Sequence, residues 1–72
     1  MTEEQIAIAK AFYGVTFLPA SREKRFARDM IFLADNCPNT DLSPKQDRYL
    51  RLVAYRFRRQ MPNHLVPAEK PA

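Results

Sequence analysis

Residues 43–62 read SPKQDRYLRLVAYRFRRQMP, and this stretch decides the fold. Ser43 is a favoured helix N-cap, Pro44 suits the first helical turn, and Gln46 completes a capping box. Apolar residues then recur at three- and four-residue spacing, which predicts an amphipathic helix from Pro44 to about Gln60. The predicted core-facing stripe of this helix consists of Leu50, Val53, Ala54, Phe57 and Met61.

A first helix is predicted near the start of the chain. Thr2 and Gln5 have capping-box spacing, and the only glycine, Gly14, is expected to end this helix in a left-handed conformation. Residues 15–19, VTFLP, are β-branched and aromatic and end in a proline. Because the residue before a proline avoids helical geometry, we interpret this segment as an extended connector whose apolar side chains pack over the core.

The second helix is predicted to begin after Ser21 and to run to about Asn36, since Pro38 prevents continuation. Its apolar stripe at helical spacing is Phe26, Met30, Leu33 and Cys37. We expect Cys37 to be a small buried hydrophobe. Phe32 points away from this stripe, so it is either an exposed aromatic or packs against the first helix or the connector. We expect it to pack.

These segments predict a mostly all-α fold: one compact three-helix domain over residues 1–62. A chain of 72 residues forms at most one domain, and its small core makes the stability marginal. Residues 63–72 contain prolines and little to bury, so we expect a loose C-terminal tail there.

Cysteine content and hydropathy indicate the compartment. A single cysteine excludes an internal disulfide and favours a reducing environment. The start of the chain lacks the basic residues and apolar run of a secretory signal, and no stretch approaches membrane-spanning length. We therefore expect a soluble cytoplasmic protein that has no contact with a membrane.

Residues that support catalysis or metal binding are scarce. His64 is the only histidine, whereas a zinc site needs four ligands, or three and a water. One glycine cannot build a phosphate-binding loop. The acidic residues fit intrahelical pairs, Arg25 with Asp29 and Asp47 with Arg51. We therefore expect no enzyme, no metal and no cofactor, and an exposed His64.

Basic residues outnumber acidic ones by 12 to 8, which favours nucleic acid or an acidic protein surface as the partner. On a helical wheel the third helix turns arginines and a tyrosine away from its core stripe, and both residue types are common at interfaces. The alternative is a solvated face that keeps the domain soluble. The second helix adds further cations and an aromatic residue. The candidate partner-binding residues are Arg48, Arg51, Tyr55, Arg58, Arg59, Arg22, Arg25 and Phe32.

Three segments carry a family resemblance: residues 42–46 (LSPKQ), 49–53 (YLRLV) and 55–62 (YRFRRQMP). In these segments, and in its length and basic character, the chain resembles a family of very small transcription regulators of lytic bacteriophages, among them phages of Xanthomonas. The resemblance implies a protein of the host bacterial cytoplasm that binds host RNA polymerase, inhibits host promoter use and promotes antitermination. The implied contact is the β′ amino-terminal region and the β flap near the RNA exit channel, with nascent RNA or DNA as a further partner.

Three functions therefore remain open from the sequence. The first is a monomeric regulator of host RNA polymerase, and the second is a helical nucleic-acid-binding protein. The third is an inhibitor of a host defence enzyme. A helix-turn-helix DNA reader joins its helices by three or four residues, whereas residues 37–43 form a longer loop, so that motif fits only loosely and binding in a nucleic-acid groove stays an alternative.

Overall fold

The computed structural model describes residues 1–71 and confirms a small all-α domain. Its three helices are α1 (Glu3–Ala11), α2 (Arg22–Asn36) and α3 (Pro44–Arg56). Short 3₁₀ turns lie at Phe12–Gly14, Arg58–Gln60 and Asn63–Leu65. Residues 1–71 contain no β-strand, and α1 packs against both α2 and α3.

Side-chain caps start all three helices, as predicted. The Thr2 hydroxyl accepts from the backbone N–H of Gln5 at 3.1 Å, and the Gln5 side chain accepts from the Thr2 N–H at 2.8 Å. Ser43 and Gln46 form the same reciprocal pair at 3.1 and 2.9 Å. Ser21 caps α2 through its side chain. Each cap satisfies N–H groups that a helix start leaves without an intrahelical partner, and typically stabilises by about 1 kcal/mol.

Helix α3 is shorter than predicted, because it ends at Arg56 and not at about Gln60. Phe57 leaves helical geometry, with φ −105° and ψ 28°, and the chain continues as a 3₁₀ turn. The change of direction brings the Phe57 ring edge-on to Phe17, with ring centroids 4.7 Å apart. Beyond this turn Met61 enters the core with 5% of its surface exposed. Tertiary packing thus overrides continuation of the helix.

The core lies between the three helices. Its largest fully buried side chains are Phe12, Ile8, Leu50 and Val53. Small residues from each helix are buried beside them and let the helix axes approach closely: Ala9, Ala27, Ala34 and Ala54. Leu65 and Val66, which follow the predicted domain boundary, are half-buried against this core.

Of its predicted stripe, helix α2 fully buries only Met30, and it buries two alanines beside it. Its buried side chains are Ala27, Met30 and Ala34. Phe26 and Leu33 are half-buried at the margin of the core. The prediction of a buried Cys37 is wrong, since this residue is exposed. The helix ends at Asn36, and Cys37 departs from helical geometry with φ −136° and ψ 54°, so it no longer follows the helical stripe.

Two large apolar side chains are exposed against expectation. Phe32, which we expected to pack, is 59% exposed, because about 200° of helical rotation separates it from buried Met30. In the connector, Val15 and Phe17 pack on the core as predicted, but Leu18 is 76% exposed. Alternate residues of an extended chain point to opposite sides, so the connector presents only every second side chain to the core.

The left-handed residue is Ala20 and not Gly14, as we had predicted. Gly14 has no positive φ. Helix α1 instead tightens into a 3₁₀ turn, where the Val15 N–H donates to the Phe12 carbonyl at 3.1 Å, so the chain needs no left-handed residue there. Ala20 has a φ of 60° in the turn before α2. Such backbone strain in a non-glycine residue costs about 1–3 kcal/mol.

Leu50→Ala is expected to destabilise the domain by about 2–5 kcal/mol, because it removes buried apolar contacts and leaves a cavity. Leu18→Ala is the matched control: the same change at a 76% exposed site should alter the stability by less than about 0.5 kcal/mol. Urea denaturation of both variants and the parent measures the two effects. Equal destabilisation by the two substitutions would show that Leu50 does not lie in the core.

Two reciprocal substitutions test the backbone assignment. Gly14→Ala should stabilise the fold by about 0.4–1 kcal/mol, since alanine reduces the freedom of the unfolded chain. The position has no positive φ, and an added Cβ meets no atom within 4 Å. Ala20→Gly should also stabilise, because it relieves the strain at φ 60°. Thermal denaturation measures both, and a destabilised Gly14→Ala variant would contradict the assignment.

Candidate partner-binding surface

The outer side of α3 carries an ordered arginine–tyrosine pair. The Arg58 guanidinium lies over the Tyr55 ring, 4.5 Å from its centroid. Arg58 Nη1 also donates a hydrogen bond to the Tyr55 carbonyl oxygen at 3.1 Å. An exposed cation–π contact stabilises by about 0.5–1 kcal/mol, so the pair orients a charged group before any partner arrives.

Two further predicted arginines, Arg48 and Arg59, are exposed. Arg48 lies about two helical turns before Tyr55 on the same side of α3, and Arg59 follows Arg58 in the 3₁₀ turn. Neither forms an ion pair with a carboxylate of residues 1–71. We call Arg48, Tyr55, Arg58 and Arg59 the α3 arginine surface.

A cleft of about 310 Å³ opens at the end of α3. Three arginines line it, Arg56, Arg58 and Arg59, which the turn after Phe57 brings together. Arginine side chains can donate paired hydrogen bonds to a phosphate or a carboxylate. The sequence prediction missed this grouping, because in a helix continued to Gln60 about 200° of rotation would separate Arg56 from Arg58.

Arg51, a predicted partner-binding residue, is engaged within the protein. Its Nε donates to Asp47 Oδ2 at 3.2 Å, which confirms the predicted intrahelical pair, and its Nη1 pairs with Glu4 of α1. The hydrogen bond to Glu4 is the largest cause that raises the pKa of Arg51, and the hydrogen bond to Asp47 raises it further. Arg51 therefore joins α3 to α1. The predicted pair of Arg25 with Asp29 is wrong, since it is absent from the ion pairs of residues 1–71.

Gln5 joins this network from the start of α1 and is only 9% exposed. Its Oε1 completes the capping box, and its Nε2 donates to Asp47 Oδ1 at 2.8 Å. The hydrogen bond from Gln5 is the largest influence on the pKa of Asp47 and lowers it; burial opposes this shift, and Arg51 lowers the pKa further. The sequence indicated only the capping role, because the second contact spans 42 residues of the chain.

On α2 the predicted residues Arg22, Arg25 and Phe32 are all exposed. Two turns of helix separate Arg25 from Phe32 and place them on one side, with Arg28 between them. The structure therefore joins two of the three predicted residues into one face, and adds Arg28 to it.

Arg22 lies instead close to Tyr49, in the middle of α3. The Tyr49 ring packs edge-on against Phe26 with centroids 4.6 Å apart, and its hydroxyl donates to Glu23 at 3.5 Å. Burial raises the pKa of Tyr49 and the Glu23 charge raises it further, while the charges of Arg22 and Arg56 lower it. Arg22 of α2 and Arg56 of α3 thus both lower the pKa of the Tyr49 hydroxyl.

An apolar groove of about 490 Å³ runs beside α2. Phe12, Phe17 and Ile31 are among the apolar residues that line it. Tyr13 also lines it and is 66% exposed, and its hydroxyl donates a hydrogen bond to Asp35. That hydrogen bond is the main cause that raises the pKa of Tyr13. The sequence prediction missed the groove, because its two walls are separate segments that meet only in the folded chain.

Two further features concern metals and membranes. Within residues 1–71, no three His, Cys, Asp or Glu side chains are grouped so that they could hold a metal ion. His64 is exposed, as predicted. No helix in the described part of the chain combines the length and apolar character needed to cross a membrane.

The fold and these surfaces define a small all-helical domain with exposed arginine and aromatic side chains. Comparison of the chain with protein-family models, curated proteins and solved structures finds no match. No relative therefore indicates an activity or a partner for this chain.

Asp47→Asn should lower the stability at about pH 7, and this difference from the parent should shrink as the pH falls through the folded-state pKa of Asp47. That pKa lies below the unfolded value of about 3.9, so the ionised carboxylate stabilises the fold above that value and loses its effect on protonation. Urea denaturation across this range measures the difference. Asp41→Asn makes the same change at an exposed site and is the matched control, and a difference for Asp47→Asn that persists in acid would contradict the role of the charge.

Proposed function

We propose that this chain is a non-enzymatic, phage-encoded regulator that binds host RNA polymerase, inhibits initiation at host promoters and promotes antitermination. The observation that carries the proposal is the Arg58 guanidinium held 4.5 Å above the Tyr55 ring. Arginine and tyrosine are enriched among the residues that contribute most to protein interfaces. The same pair belongs to residues 55–62, one of the segments that resemble the phage regulators.

The proposed contact is the β′ amino-terminal region and the β flap near the RNA exit channel. A body of 28 × 26 × 20 Å is small enough to lodge at a junction between two subunits. When such a body binds one arrangement of a junction more tightly than another, it shifts the population toward the first by that difference in affinity. Inhibition and antitermination are then two results of restraining one mobile junction.

A second candidate function is nucleic-acid binding, which the arginine cleft at the end of α3 favours. Arg56, Arg58 and Arg59 line this one cleft of about 310 Å³. Each phosphate that such arginines neutralise releases counterions, so the affinity for nucleic acid falls steeply with salt. At the RNA exit channel these arginines would also meet nascent RNA, so the two functions can share residues.

Affinity purification of the tagged chain from host lysate tests both functions. We expect the β and β′ subunits to dominate the bound proteins and to persist after nuclease treatment. Arg58→Ala should weaken polymerase binding by about fivefold or more, as expected for loss of an interface residue worth about 1 kcal/mol or more. The same substitution should change the folding stability by less than about 1 kcal/mol.

Lys10→Ala is the matched control, because it removes one positive charge from an exposed site on α1. It should leave the recovery of polymerase unchanged. An equal loss of polymerase recovery with Lys10→Ala would show that the effect of Arg58→Ala comes only from the lost positive charge. Recovery that disappears with nuclease would favour nucleic acid, and a bound host enzyme other than polymerase would contradict both functions.

A further inference from the structure

The groove beside α2 has the dimensions of a ligand site. Phe12 and Ala27, each 2% exposed, form its buried part, and half-buried Phe17 and Ile31 form its sides. Its volume of about 490 Å³ lies within the range of about 300–1,000 Å³ that is typical of binding pockets. Apolar surface of this kind, open to solvent and rimmed by polar groups, is typical of a contact with another molecule.

All three charged side chains that line the groove are cations, and one carboxylate, Asp35, reaches its edge through the hydrogen bond from Tyr13. Lys24, Arg25 and Arg28 of α2 line it and are exposed, and no carboxylate of residues 1–71 is among its lining residues. Phe32 lies one turn beyond Arg28 on the same side of α2 and is 59% exposed. Because complementary potentials favour association, an occupant has to present apolar groups to the groove and negative charge to its edge.

The length of the groove indicates which kind of partner segment fits it. Its lining extends along α2 from Lys24 to Ile31, which at 1.5 Å per residue is about 10 Å, or about two helical turns. An amphipathic helix presents apolar side chains at i, i+3 or i+4, and i+7 over this distance, and such helices dock in apolar grooves. Nucleic acid presents phosphates to a protein surface and does not offer such a row of apolar groups.

We propose that this groove binds an acidic amphipathic helix of a partner protein. Apolar side chains one turn apart enter between Phe17 and Ile31, and carboxylates beside them pair with the three cations of α2. The groove is separate from the α3 arginine surface and does not rest on the proposed contact with polymerase. Failure to bind polymerase therefore leaves this proposal standing, and the reverse also holds.

A synthetic peptide of about twelve residues tests the proposal, with leucine on one helical face and glutamate on the other. Its control is a peptide of the same composition in scrambled order, which keeps the charge and loses the apolar row. Both are titrated into the ¹⁵N-labelled full chain. We expect the amide shifts to change mainly in residues 12–17 and 24–32, and the scrambled peptide to bind about tenfold more weakly, a loss of about 1.4 kcal/mol.

Charge-reversal variants distinguish binding in the groove from nonspecific electrostatic attraction of the peptide. The double variant Lys24→Glu with Arg28→Glu turns two attractions into repulsions and should weaken peptide binding by about tenfold or more. The matched control, Arg48→Glu with Arg59→Glu, makes the same change in net charge on the α3 arginine surface and should weaken binding by less than about threefold. Glutamate at position 24 lies in the first turn of α2, where it complements the helix dipole, and circular dichroism of both double variants checks that the helices are retained.

Five results would overturn the proposal. The first is equal binding of the scrambled and amphipathic peptides, and the second is shift changes centred on the α3 arginine surface. The third is a titration without saturable change. The fourth is dimerisation of the free chain in sedimentation that the α2 double variant abolishes, because the groove would then belong to a second copy. A short RNA duplex that shifts the groove residues more strongly than the peptide would likewise assign them to nucleic acid.

Discussion

The hydrogen bond from Gln5 to Asp47 couples the starts of α1 and α3 and belongs to one network with Arg51 and Glu4. Gln5 caps α1 with its Oε1, so its amide N–H is free to reach Asp47 at 2.8 Å. The same carboxylate accepts from Arg51, which also reaches Glu4. Burial of a polar side chain costs free energy unless its hydrogen-bonding groups are satisfied. Here the oxygen and the nitrogen of one amide serve two helices, and no buried side-chain polar atom of residues 1–71 lacks a partner.

This network divides the arginines into two groups. Arg51 neutralises acids between α1 and α3, whereas Arg48, Arg58 and Arg59 form no ion pair within residues 1–71. The core of so short a chain consists of apolar side chains, many of them alanine, and has no room for charge. The excess of 12 basic over 8 acidic residues is therefore displayed on the outside. Since summed surface charge steers association, the way the core is built also decides which faces attract a partner.

Helix starts, which depend on near neighbours in the chain, were predictable, whereas contacts between distant segments were not. The capping boxes at Thr2 and Ser43 need only residues three apart, and both are present. Periodicity assigned Cys37 to the core stripe, although the helix was itself predicted to end at about Asn36, as it does, so the helical spacing no longer applied to Cys37. It placed Phe32 off that stripe, yet whether another segment covers this side chain depends on the path of the connector. The groove and the hydrogen bond between α1 and α3 are of this second kind, because each joins segments that are remote in sequence.

The α3 arginine surface and the groove beside α2 differ in chemistry and share one scaffold. The first offers a guanidinium stacked on an aromatic ring, and the second an apolar row with cations along its edge. Both belong to helices that pack on a single core, so their separation is fixed within a body of 28 × 26 × 20 Å. A target that offers both complements is bound more tightly than either contact alone allows, because the second contact forms at a high effective concentration. The same rigidity fixes the spacing that the two contacted elements of such a target must have.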